Sequence, residues 1–464
     1  MRLLISTILF QFLCYSQIET NSNFMKKILL ENDRLLNSKE RFLTIKSKPK
    51  IKLFYTNKIY LNSNLPNFEN QNGLILKKGY GLYQSIFLEL KSSIFSFTIE
   101  PQTLVRNKLE QVYQEKKTGS FSVLNDQYSA NDIMSVKNLS LKASFKNLQF
   151  EYGNKNQWWG PGVHNSLVLS NNSSGFFHYK LGNKNSIQLW PKIFINFSYI
   201  LTNPMINQND QNFYLSSFRS TVQFNSLNFG FSRSILSGGY NEIKWDMYDA
   251  ALVNITNKNI KYWDVVNQYH LSYESKNSNF IAFIDIGFPY SYQSSVYYDH
   301  GLGSNIGLRK YKAFDTEYLM FGFEYTRLLQ SRYYNILPSP NWYDNNLYNY
   351  HSYNGLRWSA HSGSDSDDFL FMIGLIKGRN SIIYGLNYER HGVSYHFPPE
   401  TKFESRFSLS FERKNIFFQV DLENEYFEHF NFIDTNTNVW NETFEKGSVQ
   451  RTNSALFSIE YRIL

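Results

Sequence analysis

Apolar and polar residues alternate with a period of two in one segment after another of this chain. In one such segment Ile382, Tyr384, Leu386 and Tyr388 share a face, and Ile383, Gly385, Asn387 and Glu389 share the other. The same alternation recurs in residues 218–224, 227–232, 319–326 and 406–412. Because successive side chains of a β-strand point to opposite faces, the pattern predicts many strands with one apolar face each.

The connections between these predicted strands are of two kinds. Tight polar turns occur near Lys91, Asn225, Ser275, Lys377 and Arg413. Long connections occupy residues 237–264, 288–316, 328–368, 391–402 and 424–449. Short periplasmic turns at one end and long extracellular loops at the other are typical of outer-membrane barrels. The sequence therefore predicts an all-β fold, a large antiparallel transmembrane β-barrel of about 18 strands.

The first residues, MRLLISTILFQFLCYSQ, have the pattern of a secretory signal peptide, which we place at residues 1–16. Cys14 is the only cysteine, so we predict that the mature chain has no disulfide and no cysteine nucleophile or ligand. No later apolar run reaches the ~18–20 residues of a spanning helix, although 42% of residues are hydrophobic and 18% are aromatic. A barrel of a Gram-negative-type outer membrane accommodates such a chain, because its apolar residues face lipid.

The N-terminus of the mature chain differs from the rest, and residues 39–58 are basic and less regular. Residues 24–36 place several apolar side chains on one helical stripe, which predicts an amphipathic helix. We interpret residues 17–78 as a small, partly helical periplasmic segment that plugs the barrel or docks on it. A frayed N-terminal arm is the alternative.

Residues 79–464 form the predicted barrel. Its last strand continues to the end of the sequence, with Phe457, Ile459, Tyr461 and Ile463 on one face. Such an ending is typical of barrels that are delivered to the barrel-assembly machinery. We therefore expect this machinery and outer-membrane lipids as partners.

Residues 156–172 read NQWWGPGVHNSLVLSNN, which places two tryptophans before a turn. If Trp158 and Trp159 lie in a strand, one side chain faces lipid or the interface and the other faces the lumen. Glycine and proline at Gly160-Pro161-Gly162 then permit a sharp turn. We interpret the stretch as a girdle tryptophan and a structural corner, with direct sugar contact as the alternative. We expect the side chains of Ser170-Asn171-Asn172 to satisfy backbone groups inside the barrel, with glycan binding as the alternative.

The stretch from Trp158 to Asn172 also resembles the signature of the Wzi family of capsule-assembly outer-membrane proteins. Further segments fit the family in order: FSFTIEPQTLV at 95–105, SPNWYDNNLYNYHSYNGLRWSAHSGSDSDD at 339–368 and YERHGVSY at 388–395. The resemblance covers about residues 79–464. It implies a large antiparallel barrel closed to free diffusion, which acts as a lectin for capsular or related surface polysaccharide on the cell exterior. It implies neither synthesis nor export of that polymer.

The long connection at residues 328–368 is the predicted polysaccharide-binding loop. Its candidate ligand residues are Trp342, Tyr343, Tyr350, Tyr353, Arg357 and Trp358. Aromatic faces stack on sugar rings, and arginine binds hydroxyl and carboxylate groups. A loop that packs on itself and closes the barrel mouth is the alternative. The net charge of +8 favours an acidic polysaccharide or anionic lipid head groups.

Other functional classes have weaker support in the sequence. It contains no Gly-x-Ser-x-Gly elbow, His-Glu-x-x-His motif or P-loop, and we predict no catalytic residue, metal site, cofactor or nucleic-acid partner. We interpret Asp365, Asp367 and Asp368 as a solvated turn, with a calcium loop as the alternative. A diffusion porin or a channel for small solutes is the alternative function.

Several carboxylates fall on the predicted lumenal faces of strands. They include Glu324, Glu389 and Glu412, and the arginines expected near them are Arg219, Arg390 and Arg406. We interpret these groups as charge networks that fill the barrel. A glycosidase pair is the alternative.

Overall fold

The computed structural model of the protein describes most of the chain from residue 50 onward. The described residues are 50–67, 69–106, 134–207, 209–241, 245–256, 263–275, 279–290, 301–314, 317–328, 342–343, 345–394, 399–430 and 449–464. The predicted signal peptide and the predicted helix at residues 24–36 lie outside this set.

The described strands form one closed antiparallel sheet. Two strands are each interrupted once, so that the twenty strand segments of the sheet make eighteen strands. They are β1 (Lys50–Asn62), β2 (Gly79–Lys91), β3 (Phe95–Arg106), β4 (Met134–Phe145), β5 (Leu148–Gly153), β6 (His178–Asn183 and Ile187–Trp190), β7 (Ile193–Thr202 and Met205–Ile206), β8 (Asn212–Phe224), β9 (Leu227–Gly238), β10 (Asp264–Ser275), β11 (Phe280–Tyr290), β12 (Gly303–Phe314), β13 (Glu317–Leu328), β14 (Ser366–Lys377), β15 (Asn380–His391), β16 (Glu400–Arg413), β17 (Ile416–Glu428) and β18 (Gln450–Arg462). Strand β18 pairs with β1 and closes the ring, with Tyr461 opposite Tyr55. The predicted barrel is confirmed.

Each strand places apolar side chains outside and mixed side chains inside, as the alternation predicts. On β15, Ile382, Tyr384 and Leu386 are 45%, 40% and 45% exposed, whereas Asn387 and Glu389 are buried. The outer face has no protein partner among the described residues, and it can bury its apolar surface only against lipid. The inner face packs against connecting loops of the same protein that enter the lumen.

The two ends of the barrel differ in the length of their connections. Turns of a few residues join β2 to β3, β8 to β9, β14 to β15 and β16 to β17 at one end. Strand β1 begins at this end and β18 finishes there. By the usual arrangement this is the periplasmic end. The long connections lie at the opposite, extracellular end.

One predicted connection and one predicted boundary are wrong. Residues 288–316 are not a single loop, because residues 303–314 form β12 and pair along both sides with β11 and β13. The barrel begins at Lys50 and not at residue 79, because β1 pairs with both β2 and β18. The alternation of β1 is less clear than in other strands, because its inner face carries the aromatic residues Phe54 and Tyr60 as well as Lys52 and Lys58. The predicted periplasmic segment 17–78 is therefore wrong from residue 50 onward.

Helical structure is minor in the described part of the chain. It comprises α1 (Met247–Thr256) and a 3-10 segment (Asn346–His351) that precedes a hairpin of Ser352–Tyr353 with Leu356–Arg357. Helix α1 packs on β8 and β9 at the extracellular end. No helix of the described residues has the length and hydropathy required to cross a bilayer.

The direction of the barrel can be tested by cysteine labelling. Ser93→Cys lies in the exposed turn between β2 and β3, and Asn241→Cys lies in the exposed connection after β9. We expect a membrane-impermeant maleimide to label only the second variant on intact cells, and both after lysis. Labelling of Ser93→Cys alone on intact cells would show that the barrel has the opposite orientation in the membrane.

Candidate functional site

Three connections at the extracellular end fold into the lumen and fill it. We call them the first loop (residues 63–67 and 69–78), the tryptophan loop (154–177) and the aromatic loop (342–343 and 345–365), and together the plug. Backbone hydrogen bonds join them: Asn72 N donates to Asn171 O at 2.9 Å, and Ser170 N donates to Trp358 O at 2.6 Å. The plug is thus one connected unit inside the barrel.

The tryptophan pair lies in the interior of the barrel. Trp158 and Trp159 are 1% and 0% exposed, and neither belongs to a strand. The indole Nε1 of Trp158 donates to Gly162 O at 2.8 Å, and Trp159 packs in the largest apolar cluster of the plug. The prediction that one tryptophan faces lipid is wrong, because the alternation of side chains applies to strands and not to this loop. The interpretation as a structural corner agrees with the structure.

Glu324 on β13 anchors this corner. Its carboxylate accepts hydrogen bonds from the backbone N–H groups of Val163 at 2.9 Å, His164 at 3.2 Å and Asn165 at 2.8 Å. It also accepts from Asn305 Nδ2 at 3.1 Å. A buried carboxylate is tolerated only when hydrogen bonds replace its lost hydration. Here these donors also fix the position of the tryptophan loop against the wall.

The glycines of the corner permit this close approach. Gly160 has a φ of 154°, which lies in the region that favours glycine. A Cβ atom at Gly162 would lie 2.5 Å from Asn165 O and 2.6 Å from Glu324 Oε1. The Gly-Pro-Gly sequence is therefore explained by local packing.

We predict that Gly162→Ala loosens the plug without opening the barrel sheet. The added methyl group overlaps Glu324, and overpacking of this kind costs about 1–3 kcal/mol. The measurement is the temperature at which the fast-migrating, folded band is lost on a detergent gel. Gly385→Ala is the matched control, because a Cβ atom there meets its neighbours at an ordinary 3.7 Å or more. Equal midpoints for the two variants would contradict the assigned role of Gly162.

The segment Ser170-Asn171-Asn172 connects the three loops through hydrogen bonds. Asn172 Oδ1 accepts from Asn70 N at 3.0 Å, and Asn172 Nδ2 donates to Arg357 O at 3.1 Å. Ser170 Oγ donates to Ser359 O at 2.5 Å. These contacts agree with the expectation that the segment satisfies backbone groups inside the barrel.

The predicted sugar platform is largely buried. Trp342, Tyr343 and Trp358 are 0%, 0% and 2% exposed. The indole of Trp342 donates to Gly301 O at 2.7 Å, and the hydroxyl of Tyr343 donates to Leu167 O at 2.5 Å. No ring of these three is open to a ligand, so the prediction that they form an open platform is wrong. They pack with the tryptophan loop and close the lumen, as in the alternative interpretation.

Two members of the predicted set remain accessible. Tyr350 and Tyr353 are partly exposed, whereas Arg357 is buried behind them. Asn349, Tyr350 and His351 have φ values of 51°, 54° and 53°. Three consecutive non-glycine residues in the left-handed region are strained, and such strain clusters at functional sites.

Buried charges line the wall behind the plug. Lys402 Nζ lies 3.2 Å from Glu389, 2.9 Å from Glu404 and 3.6 Å from Glu425, and it also pairs with Glu69 of the first loop. Arg406 extends this network through Asp421. Arg390 instead pairs with Asp367 on the outward side of β14 and β15, where its side chain is 38% exposed. The predicted charge networks are therefore confirmed for Glu389 and Arg406 and not for Arg390. Glu412 instead pairs with Arg379 in the exposed region of the periplasmic turns.

The three aspartates at the start of β14 are buried, so their interpretation as a solvated turn is wrong. Asp365 accepts from Ser394 N at 2.9 Å. Asp368 accepts from Asn165 Nδ2 at 2.6 Å, and Asp367 pairs with Arg390. Each of the three carboxylates thus has a different hydrogen-bond or ion-pair partner.

His361 of the aromatic loop lies among carboxylates. Its Nε2 is 3.4 Å from Asp368, 3.5 Å from Glu389 and 3.7 Å from Glu69. Burial by itself lowers the pKa of His361, but these carboxylates outweigh it and raise the pKa to about 9. Burial and the negative charge of Glu389 raise the pKa of Glu69. The carboxylates therefore favour a positive charge on this imidazole.

A basic cavity of about 510 Å³ lies between the plug and the periplasmic turns. Its lysines are Lys52, Lys58, Lys91, Lys137, Lys142, Lys155, Lys180 and Lys184, and its carboxylates are Glu89, Glu100, Glu151 and Glu460. Four of the eight positive charges are thus balanced within the lining. The excess of lysine gives this side of the lumen a positive potential.

Residues 62–437 match the family described as capsule assembly protein Wzi. This chain belongs to the Wzi capsule assembly family. Among solved structures it is similar to Wzi of Escherichia coli, with 12% identity, a TM-score of 0.61, and coverage of 88% of this chain and 83% of that one. The E. coli protein is an outer-membrane protein involved in group 1 capsule assembly and is a carbohydrate-binding β-barrel.

Two porin-type barrels from other bacteria are less similar to this Wzi-family chain. OccAB4 of Acinetobacter baumannii has 11% identity and a TM-score of 0.46, with coverage of 89% of this chain and 98% of that one. A BenF-like porin of Pseudomonas fluorescens Pf-5 has 8% identity and a TM-score of 0.49, with 90% and 98% coverage. No curated protein sequence matches the chain significantly.

The sequence analysis did not identify several residues that line the interior of the barrel. Glu69 falls in the segment that was predicted to be periplasmic, and His164 stands unremarked inside the tryptophan motif. Glu324 was expected in a charge network, and it does pair with Arg309 at 3.7 Å. The sequence did not indicate that it also binds the backbone of the tryptophan loop. The sequence carries no signal for that contact, because Glu324 and Val163 are 161 positions apart.

Proposed function

We propose that this protein is an outer-membrane barrel lectin that attaches capsular or related surface polysaccharide to the cell exterior. The observation that carries the proposal is Wzi-family membership over residues 62–437 in a barrel whose lumen is filled by its own loops. A protein that holds a polymer at the surface needs a rigid outer face and no open channel. The carbohydrate binding of E. coli Wzi supports the same assignment.

The filled lumen favours this function over that of a porin. The apolar core of the plug unites residues of the tryptophan loop, the aromatic loop and the inner wall, among them Leu167, Trp342 and Leu236. To open a channel through it, the chain would have to expose these buried side chains to water, at about 25 cal/mol per Å² of apolar surface.

We place the polymer contact on the accessible side of the aromatic loop. Tyr350 and Tyr353 supply partly exposed aromatic rings for stacking on sugar. The buried residues of the loop stabilise its conformation and do not contact the polymer. They are Trp342, Tyr343, Arg357 and Trp358. The strained backbone at Asn349, Tyr350 and His351 supports this placement, since the packed plug has to maintain it.

An anionic polymer suits the charge of the protein best. The chain carries a formal charge of +8, which favours attraction of an acidic polymer. Outer-membrane lipids cover the apolar band of the barrel, and the barrel-assembly machinery receives its last strand, β18.

The test is deletion of the gene in a capsule-forming host, with separate measurement of polymer on cells and in the medium. We expect unchanged total polymer, a smaller cell-bound fraction and a larger released fraction. The wild-type gene in trans should restore retention. A deletion strain that retains its polymer but loses uptake of a small solute would replace this proposal with the porin alternative.

A further inference from the structure

We propose that His164, His361, Asp368 and Glu389 form a binding site for one divalent transition-metal ion of the zinc class, which fastens the plug to the barrel wall. The tryptophan loop supplies His164 and the aromatic loop supplies His361, while β14 and β15 supply Asp368 and Glu389. One donor atom from each of the four lies within 4.8 Å of the other three. The side chains of all four are buried, with His164 the most exposed at 10%.

The spacing of the donors fits a tetrahedral ion. Bonds of ~2.1 Å place neighbouring ligand atoms of a tetrahedral zinc site about 3.4 Å apart. His164 Nε2 lies 3.1 Å from Asp368 Oδ2, and His361 Nε2 lies 3.4 Å from the same oxygen. His361 Nε2 lies 3.5 Å from Glu389 Oε1. The other donor pairs lie within 4.8 Å, so movements of up to about 1 Å would bring all four donors around one ion.

One ring nitrogen of His164 contacts both Asp368 and Asn387. His164 Nε2 lies 3.1 Å from Asp368 Oδ2 and also contacts Asn387 Nδ2. In the tautomer that carries its proton on Nδ1, the single lone pair of Nε2 can face only one partner. To ligate a metal, this lone pair has to turn from Asn387 to the ion, while Asn387 keeps its hydrogen bond to Asp368 Oδ1 at 2.9 Å.

His361 provides a second, independent sign of a ligand. Its Nε2 is buried and makes no hydrogen bond of acceptable geometry, although it points at two carboxylates. To ligate a metal through Nε2, the imidazole must carry its proton on Nδ1, which commonly donates to an oxygen. Asn70 lies 3.2 Å from Nδ1 and has a buried Oδ1 without a hydrogen-bond partner. A turn of this amide would supply that oxygen, in exchange for the present hydrogen bond from Asn70 Nδ2 to His164 O at 2.9 Å.

The local charge also calls for a cation. Lys402 is the ammonium ion nearest to this cluster among the described ion pairs, and it faces Glu69, Glu389, Glu404 and Glu425 at once. Asp368 adds a further carboxylate. Buried carboxylates are stable only when opposite charge or hydrogen bonds compensate them. Because histidines ligate a metal in their neutral form, a divalent ion would take over the positive charge that a protonated His361 otherwise presents to Asp368 and Glu389.

The donor set indicates the class of metal. Imidazole nitrogens suit zinc and its neighbours in the first transition row, whereas calcium and magnesium prefer oxygen donors alone. The sequence hides the site because its ligands come from four separate elements. This inference does not depend on the proposed binding of polysaccharide.

The experiment measures metal in the full-length protein, purified in detergent from outer membranes of cells grown with added zinc. We expect about one zinc per chain in the wild type by elemental analysis. Growth with cobalt in place of zinc should give the visible absorption of a four-coordinate cobalt site. His361→Gln and Asp368→Asn should each lower the metal content at least tenfold.

His351→Gln is the matched control. His351 lies in the same loop as His361, is also buried and pairs with Asp264 at 3.0 Å. Neither His351 nor Asp264 belongs to the cluster, so this variant should retain the metal. Heat-modifiable migration on a detergent gel shows whether each variant has folded. A folded wild type with less than a tenth of an equivalent of metal would overturn the proposal. So would equal losses in the His361 and His351 variants, or a preference for calcium.

Discussion

Replacing Glu324 with alanine is expected to release the tryptophan loop and make the closed barrel conduct ions. The substitution leaves the buried N–H groups of Val163, His164 and Asn165 without their shared acceptor. Each buried donor left unpaired costs about 1–3 kcal/mol. For a buried, hydrogen-bonded carboxylate we expect a total on the order of 3–5 kcal/mol. The wall keeps its strand pairing, so the barrel should still fold.

The measurement is single-channel conductance of the purified protein in planar bilayers. A cost of this size shifts the equilibrium between docked and released loop by at least a hundredfold, so openings should be frequent in Glu324→Ala and rare in the wild type. Glu412→Ala is the matched control, because Glu412 is 31% exposed and pairs only with Arg379 at 3.0 Å among the described ion pairs. Exposed pairs of this kind contribute about 0–1 kcal/mol. Silent bilayers with a folded Glu324→Ala barrel would show that the plug is held without this anchor.

Substitutions in the aromatic loop are expected to separate its packing role from its contact with polymer. Trp342, Tyr343 and Trp358 are buried, and truncation of a buried aromatic side chain costs about 3–5 kcal/mol. Their triple alanine variant should therefore undock the aromatic loop and lower the thermal midpoint. The double variant Tyr350→Ala and Tyr353→Ala removes partly exposed rings. It should lower the midpoint less than the triple variant does, because only Tyr353 packs against the core of the plug, next to Phe176.

Polymer binding distinguishes the two roles. By analogy with base stacking, each aromatic platform contributes about 1–3 kcal/mol, so the double variant should retain polymer at least tenfold less well. Retention is measured on cells and with purified protein against labelled polysaccharide. Tyr248→Ala is the control, because Tyr248 is a 71% exposed ring on α1 at the same end of the barrel. If the double variant binds normally while the triple variant does not, the polymer contacts a different part of the extracellular face.

The barrel itself was predictable because its signal is local. A strand that faces lipid on one side needs an apolar residue at every second position, and Ile382, Tyr384 and Leu386 show this directly. Turn length is also local, and it distinguished the two ends. Strand β1 was missed because its inner face carries Lys52 and Lys58, which suit a polar lumen and mimic a basic arm.

The candidate site was much less predictable. Trp158, Trp342 and Trp358 were recognised as important side chains, and their chemistry suits a sugar platform as well as a packed core. Their burial depends on whether a loop folds outward or inward. That choice is decided by contacts with Glu324 and Leu167, which are distant in sequence from the residues they bind.

The sequence by itself determined that this chain alternates in the manner of an outer-membrane barrel, that its long connections share one end, and that its tryptophan motif resembles the Wzi family. Each of these properties is fixed by residues a few positions apart. Only the tertiary structure decided that the long connections enter the lumen, that the aromatic residues form a core, and that His164, His361, Asp368 and Glu389 meet. Closing the ring brings distant strands and loops into contact, and no local pattern encodes which buried groups then become partners.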